Sequence, residues 1–163
     1  MLPWQAILLG SGQPQLEDAC RELQDELPEK VRAAITFDAR LSRRMYAGGD
    51  LLLMPSRYEP CGLAQMIAMR YGCVPVVRAT GGLADTVVNT TRRKTGTGFI
   101  VKETDASSFA ITIASAIATF ENSSRWKQIQ LNGMKRDFSW MRSAQDYVSL
   151  YEELIKPSDE VKL

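Results

Sequence analysis

Apolar residues along this chain fall into two alternating spacings. Short unbroken runs occur at Ala6-Ile7-Leu8-Leu9, Leu51-Leu52-Leu53-Met54, Val74-Pro75-Val76-Val77 and Phe99-Ile100-Val101. Their length and lack of polar alternation predict strands covered on both faces. A further strand is predicted over 33–37. Between the runs, apolar residues recur at helical spacing. Leu16, Cys20, Leu23 and Leu27 form one stripe, ended by Pro28. A short helix is predicted from Ser42, as its cap, to Tyr46, stopped by Gly48-Gly49. Another covers 62–71, and Gly81-Gly82 open a short one reaching Val88. Thr90 to Gly98 read as a polar loop. Phe109, Ile113, Ile117 and Phe120 mark a helix, as do Trp126, Ile129 and Gly133, and finally Tyr147, Leu150, Tyr151 and Leu154.

Strand runs separated by helices predict an α/β fold, a doubly wound parallel sheet of Rossmann-like kind with helices on both faces. The 163 residues suit one domain, and no repeat or linker divides them. Ligands of such sheets sit outside the carboxyl ends of the strands. The loops at 10–13, 37–41, 55–62 and 78–83 all open on that edge.

Composition removes several functions. Net charge is +1, giving no broad attraction to nucleic acid or anionic lipid. The small basic groups Arg43-Arg44 and Arg92-Arg93-Lys94 read as solvated surface. No apolar run reaches the roughly 18 residues of a membrane span. Residues 1–10 lack a secretory pattern, and three cysteines without framework spacing fit a reducing, intracellular setting. The Asn89-Thr90-Thr91 and Asn122-Ser123-Ser124 triplets match glycosylation acceptors by chance. The chain has no histidine, so Ser-His-Asp and Cys-His sites cannot be built within it. No carboxylate cluster suits a metal, and no cofactor is expected. Chemistry must rest on carboxylates, basic groups, hydroxyls and main-chain dipoles.

The densest candidate chemistry lies between Met54 and Asp85. Pro55 halts a strand, a loop carrying Glu59, Cys61 and Gly62 follows, and a helix begins. The first turn of a helix offers free N–H groups and a positive dipole end. The N–H groups of Gly62, Leu63 and Ala64 therefore form a candidate pyrophosphate site, with Gly62 allowing close approach. Glu59 would repel phosphate. It either accepts hydrogen bonds from sugar hydroxyls, or it caps the helix or pairs with Arg57. Cys61 has no base to activate it and reads as a packing residue. Gly81-Gly82 either bring bare backbone to a ligand or form a plain turn, and Gly10-Ser11-Gly12 is a weaker candidate of the same kind. Neither the dinucleotide nor the P-loop glycine pattern is present.

Pro55-Ser56-Arg57-Tyr58-Glu59-Pro60-Cys61-Gly62-Leu63, Met69-Arg70-Tyr71-Gly72, Pro75 and Thr80-Gly81-Gly82-Leu83-Ala84-Asp85-Thr86-Val87 together resemble the bacterial glycogen synthase and plant starch synthase family. Ala47-Gly48-Gly49-Asp50 and Asp137-Phe138-Ser139-Trp140 are similar to further segments of it. The resemblance implies a retaining glycosyltransferase of GT-B architecture that moves glucose from ADP-glucose to the end of an α-1,4-glucan. It aligns residues 1–163 with part of the C-terminal, donor-binding domain, without its first strand and helix. The acceptor-binding N-terminal domain, with its Lys-x-Gly-Gly-Leu motif, has no counterpart here. By resemblance, Glu59 holds the donor glucose hydroxyls, Cys61 and Gly62 flank the sugar, and Leu63 and Ala64 meet the phosphates. Phe37 falls where an aromatic lies against adenine. Thr80, Gly81 and Gly82 match a second motif near the donor, and Gly10 and Gly12 match a loop lining the cleft. The implied partners are ADP or ADP-glucose and, through the N-terminal domain, a glucan. The implied setting is bacterial cytoplasm or plastid stroma. The resemblance also leads us to expect weak ADP binding, negligible transfer by this chain alone, and self-association through the face that the N-terminal domain would cover. Two other readings stay open: a GT-B transferase for a different nucleotide sugar, and a non-catalytic nucleotide- or glucan-binding module. Many GT-B transferases have a second glutamate eight positions after the first; here that position is Ile67, which favours the synthase branch.

Overall fold

The structure is a computed structural model, and it describes residues 4–90 and 95–155. In chain order the elements are β1 (Ala6–Leu9), α1 (Pro14–Glu26), β2 (Val31–Ala34), α2 (Ala39–Gly48), β3 (Leu51–Met54), α3 (Ala64–Tyr71), β4 (Val74–Arg78), α4 (Gly81–Thr86), β5 (Phe99–Val101), α5 (Ala106–Phe120), α6 (Ser123–Met134) and α7 (Trp140–Ile155). Every strand pairing is parallel. The α/β class expected from the alternating runs is therefore the one observed. The sheet comes in two pieces, however: β1 pairs with β2, and β3-β4-β5 form a separate three-stranded sheet. Among the described residues β1 and β3 are not hydrogen-bonded to each other, so each keeps an open edge.

The core follows the second sheet. Val74, Val76 and Phe99 on β4 and β5 pack against Ala116 of α5 and Trp126 and Ile129 of α6. On the other face Val77 meets Met69 of α3, Leu83 of α4 and Val87. Helices on both faces explain why β4 reads as a continuous apolar run, since neither side of it meets water. Gly133 belongs to the same logic. A Cβ there would stand 3.2 Å from Met69 Cγ, so its lack of side chain lets α6 lie close on α3.

Several boundaries differ from the sequence expectation, among them the end of α4, at Thr86 rather than Val88. β2 occupies Val31–Ala34 rather than 33–37. A turn in which the Lys30 and Val31 N–H groups both donate to the Leu27 carbonyl delivers the chain into the strand early, with Val31 buried. The strand ends where the Thr36 N–H turns back to Ala34. α2 is capped by Asp38, whose Oδ1 accepts from the Arg40 and Leu41 N–H groups, each at 2.8 Å. Ser42 lies inside that helix and donates to the Ala39 carbonyl. α3 starts at Ala64 because Gly62 has φ +70°, outside helical space. The stripe Tyr147, Leu150, Tyr151 and Leu154 does form a helix, but no residue of α7 is buried. Arg43 and Arg44 are exposed, as expected. Arg92, Arg93, Lys94 and Thr91 lie outside the described residues.

Candidate functional site

β3 ends at Met54, and the chain from Pro55 to Leu63 crosses the carboxyl edge of the second sheet before α3 begins. Three groups hold this loop. From the end of β4, the Arg78 guanidinium donates to the Ser56 carbonyl at 2.9 Å and to the Arg57 carbonyl. From α4, the Gly82 N–H donates to the Glu59 and Pro60 carbonyls at 3.1 and 3.3 Å. From inside α3, the Gln65 carboxamide donates to the Cys61 and Gly62 carbonyls at 3.2 and 2.7 Å.

With the carbonyls thus engaged, the polar groups left over point to chemistry. Glu59 is half-buried, and among the described residues its carboxylate makes no hydrogen bond or ion pair. Neither structural alternative is realised: α3 has no side-chain cap, and Arg57 forms no ion pair with Glu59. The N–H groups of Gly62, Leu63 and Ala64 likewise find no acceptor among the described residues. Free amides beside a free carboxylate suit a ligand that is an anion at one end and a polyol at the other.

Gly81 and Gly82 lie directly against the Glu59 loop. A Cβ on Gly81 would collide with the Glu59 carbonyl, and one on Gly82 with the Cys61 carbonyl. In this structure their bareness lets two backbones touch, and Gly82 is buried. Thr80 is the N-cap of α4 and makes no side-chain cap bond. The fold thus brings Glu59, Cys61, Gly62, Leu63, Ala64, Thr80, Gly81 and Gly82 to one sheet edge. Cys61 and Leu63 are exposed there.

The remaining candidates belong to the other sheet. Gly10 and Gly12 follow β1, with open space where a side chain would stand, and the Gly12 N–H donates to Glu17 Oε1. Phe37 lies beyond the end of β2, not within it, and is 89% exposed. Its ring is free to stack on a flat ligand. Among the described residues no group of three or more His, Cys, Asp or Glu side chains is placed to hold a metal ion. No described helix is long and apolar enough to cross a membrane.

Sequence reasoning overlooked Gln65 and Arg78. Gln65 shares a helix face with Ala68 and Met69, all buried. A polar residue on an apolar stripe was the available signal. Arg78 gave none, since an arginine at a strand end is ordinary.

Comparison with known proteins bears on these features. The family described as glycosyl transferases group 1 matches residues 3–131. A glycogen synthase of Thermotoga petrophila is 46% identical over 153 residues, covering 93% of this chain and 32% of its own length. The catalytic domain of starch synthase IV from Arabidopsis thaliana, bound to ADP and acarbose, superposes with a TM-score of 0.79 at 34% identity, over 91% of this chain and 32% of that one. Sucrose-phosphate synthase from Thermosynechococcus elongatus superposes at 0.68 with 29% identity, over 92% of this chain and 38% of that one. The chain thus spans about a third of the length of the curated relatives it matches.

Proposed function

This chain belongs to the glycosyl transferases group 1, and from that membership we propose that it is the donor-binding part of a glycogen- or starch-synthase-type enzyme using ADP-glucose. Its parallel sheets with flanking helices match the GT-B glycosyltransferase fold. The observation that carries the proposal is the unpaired, half-buried Glu59 carboxylate standing beside the free amides of Gly62, Leu63 and Ala64. The amides take the diphosphate, and Glu59 accepts from hydroxyls of the attached glucose. Phe37 offers an aromatic face for the base. The donor assignment draws its support from the glycogen synthase relative and the ADP-bound starch synthase neighbour.

In the proposed reaction the complete enzyme moves glucose to the non-reducing end of an α-1,4-glucan with retained configuration. Departure of ADP builds negative charge on the diphosphate while the sugar becomes cationic. Fixed N–H groups stabilise the first, and held hydroxyls keep the sugar aligned. The glucan meets parts of the enzyme beyond these residues, so the chain alone transfers negligibly; with main-chain amides as the proposed diphosphate contacts, it binds ADP weakly. The proposed setting is bacterial cytoplasm or plastid stroma.

A second reading, a different nucleotide-sugar donor, is favoured by the likeness to sucrose-phosphate synthase. Calorimetry with ADP-glucose, UDP-glucose and GDP-mannose separates the two. We expect ADP-glucose to bind tightest, and Glu59→Gln to reduce its affinity several-fold while leaving ADP nearly unchanged. Equal binding of all three donors would count against the assignment. A valine at Gly62 is an unsuitable probe: φ is +70° there, and a Cβ would stand 2.5 Å from Gln65 Oε1, so misfolding would imitate lost binding.

A further inference from the structure

We infer that Gln65 and Thr86 are positioning residues: they aim the loop amides outward at the phosphates and lock the Glu59 loop to the Gly81-Gly82 turn. The inference rests on the donor-site reading above and assigns how that site keeps its shape.

Gln65 is fully buried, on the face of α3 that it shares with Ala68 and Met69. An apolar side chain would pack there without desolvating an amide; the carboxamide nitrogen recovers part of that cost in hydrogen bonds, while among the described residues Oε1 is buried without a partner. Its nitrogen donates to the carbonyls of Cys61 and Gly62 and, at 3.0 Å, to Thr86 Oγ1. Two N–H groups face three acceptors, so one hydrogen is shared between two of them. Thr86 gives its own hydrogen to the Gly82 carbonyl at 2.5 Å, so it can only accept from Gln65. That requirement fixes which way the carboxamide faces: nitrogen toward Thr86 and the two carbonyls.

The consequence for the loop is geometric. No cis peptide bond occurs among the described residues. In a trans peptide the carbonyl and the following N–H point in opposite directions. Drawing the Cys61 and Gly62 carbonyls toward Gln65 therefore turns the N–H groups of Gly62 and Leu63 away from it. Those are two of the amides assigned to the diphosphate. The same circuit reaches Glu59, because Gly82, whose carbonyl Thr86 holds, donates its own N–H to the Glu59 carbonyl. One hydroxyl thus ties the anion-binding amides and the sugar-binding acid to a single frame.

Thr86→Val removes that hydroxyl at nearly constant volume, and Thr86→Ser keeps it. We expect Thr86→Val to weaken ADP binding about tenfold, measured well below its Tm, and Thr86→Ser to stay within about twofold of the parent. A purely structural threonine would lower Tm and leave ADP affinity unchanged. Deuterium uptake provides a ligand-free readout: in Thr86→Val it should rise over residues 59–63 as well as 81–86. Parent-like ADP binding by Thr86→Val, or uptake rising only over 81–86, would overturn the inference. If the parent chain binds no ADP at all, the donor-site reading falls, and the uptake pattern alone decides whether the circuit exists.

Discussion

The first fifty residues and the segment from Leu51 to Met134 are built on the same βα grammar but differ sharply in how they are buried. Of residues 4–50 only Val31 is buried, and α1 contributes nothing to a core despite its apolar stripe. Ile7 is 58% exposed and Leu16 63%. The later segment holds both core clusters and every bond that shapes the Glu59 loop. The contrast teaches that the two halves of the proposed site stand on unequal foundations. The Glu59 loop and its amides rest on packed backbone. Phe37, Gly10 and Gly12 rest on a unit with little core of its own. Leu16 and Leu23 of the α1 stripe stay 63% and 40% exposed.

The sharpest way to break this comparison is at Gly82. Any side chain there must displace the Cys61 backbone, which has no flexible end to give. Gly82→Ala should cost more than about 3 kcal/mol by urea denaturation, through forced overpacking of two backbones. Gly12→Ala, with open space around it, should change stability by less than about 0.5 kcal/mol. Equal effects would show that the two glycine loops are held alike.

Next in size is a pair of truncations. Phe99 is 1% exposed at the centre of the second sheet's core, and Phe99→Ala should cost about 3–5 kcal/mol. Leu16→Ala, on the exposed stripe of α1, should cost less than about 1 kcal/mol. A large loss at Leu16 would mean that α1 is covered in solution, and light scattering would then look for a second copy.

Legibility does not follow the same divide. β1, β3 and β5 begin and end where their apolar runs do, because a run bounded by Gly, Pro or polar residues leaves few alternatives. β2 was misplaced because Val31 lies inside a turn-and-strand junction fixed by the Leu27 carbonyl, which no periodicity reveals. The true cap of α2, Asp38, was readable as a strong N-cap residue, but Ser42 competed with it on the same rule. The candidate site is legible as motifs, but the bonds that shape it are not. Glu59 and its neighbouring amides stand out in the sequence as candidates, whereas the packing of Gly81 and Gly82 against backbone depends on which carbonyls they face. Gln65 gains its meaning from two nearby carbonyls and from a hydroxyl 21 residues away, a combination that no periodicity reveals.

The cysteines sharpen the comparison chemically. Burial, with the Asp50 charge as a smaller contribution, pushes the Cys73 thiol up to about 12. At pH 8 it stays protonated, and the thiolate is the reactive form. Cys20, half-buried on α1, should label with a maleimide at least ~100-fold faster than Cys73 in the folded chain. Cys73 should label only after denaturation. Comparable rates would show that Cys73 is not shielded where β4 begins, whereas Cys61, exposed in the Glu59 loop, labels in either case.

The smallest effect is a titration. Asp105 caps α5, the helix that covers the second sheet, and its carboxylate accepts from the Ser108 N–H at 2.8 Å. That bond holds its pKa below the usual aspartate range. The folded value is therefore lower than the unfolded one. Its contribution to stability is complete above the unfolded pKa and is lost as pH falls through the folded value. Asp137 is depressed in the same way by the Ser139 N–H at the start of α7. Carboxyl NMR should place the Asp105 midpoint below that of an exposed, unbonded aspartate. Asparagine caps a helix about as well as aspartate but carries no charge. Asp105→Asn should therefore preserve α5 at neutral pH and flatten its share of the acid response. An unchanged acid profile in that variant would show that the cap bond works by geometry alone, and that acid reaches the packed segment through some other carboxylate.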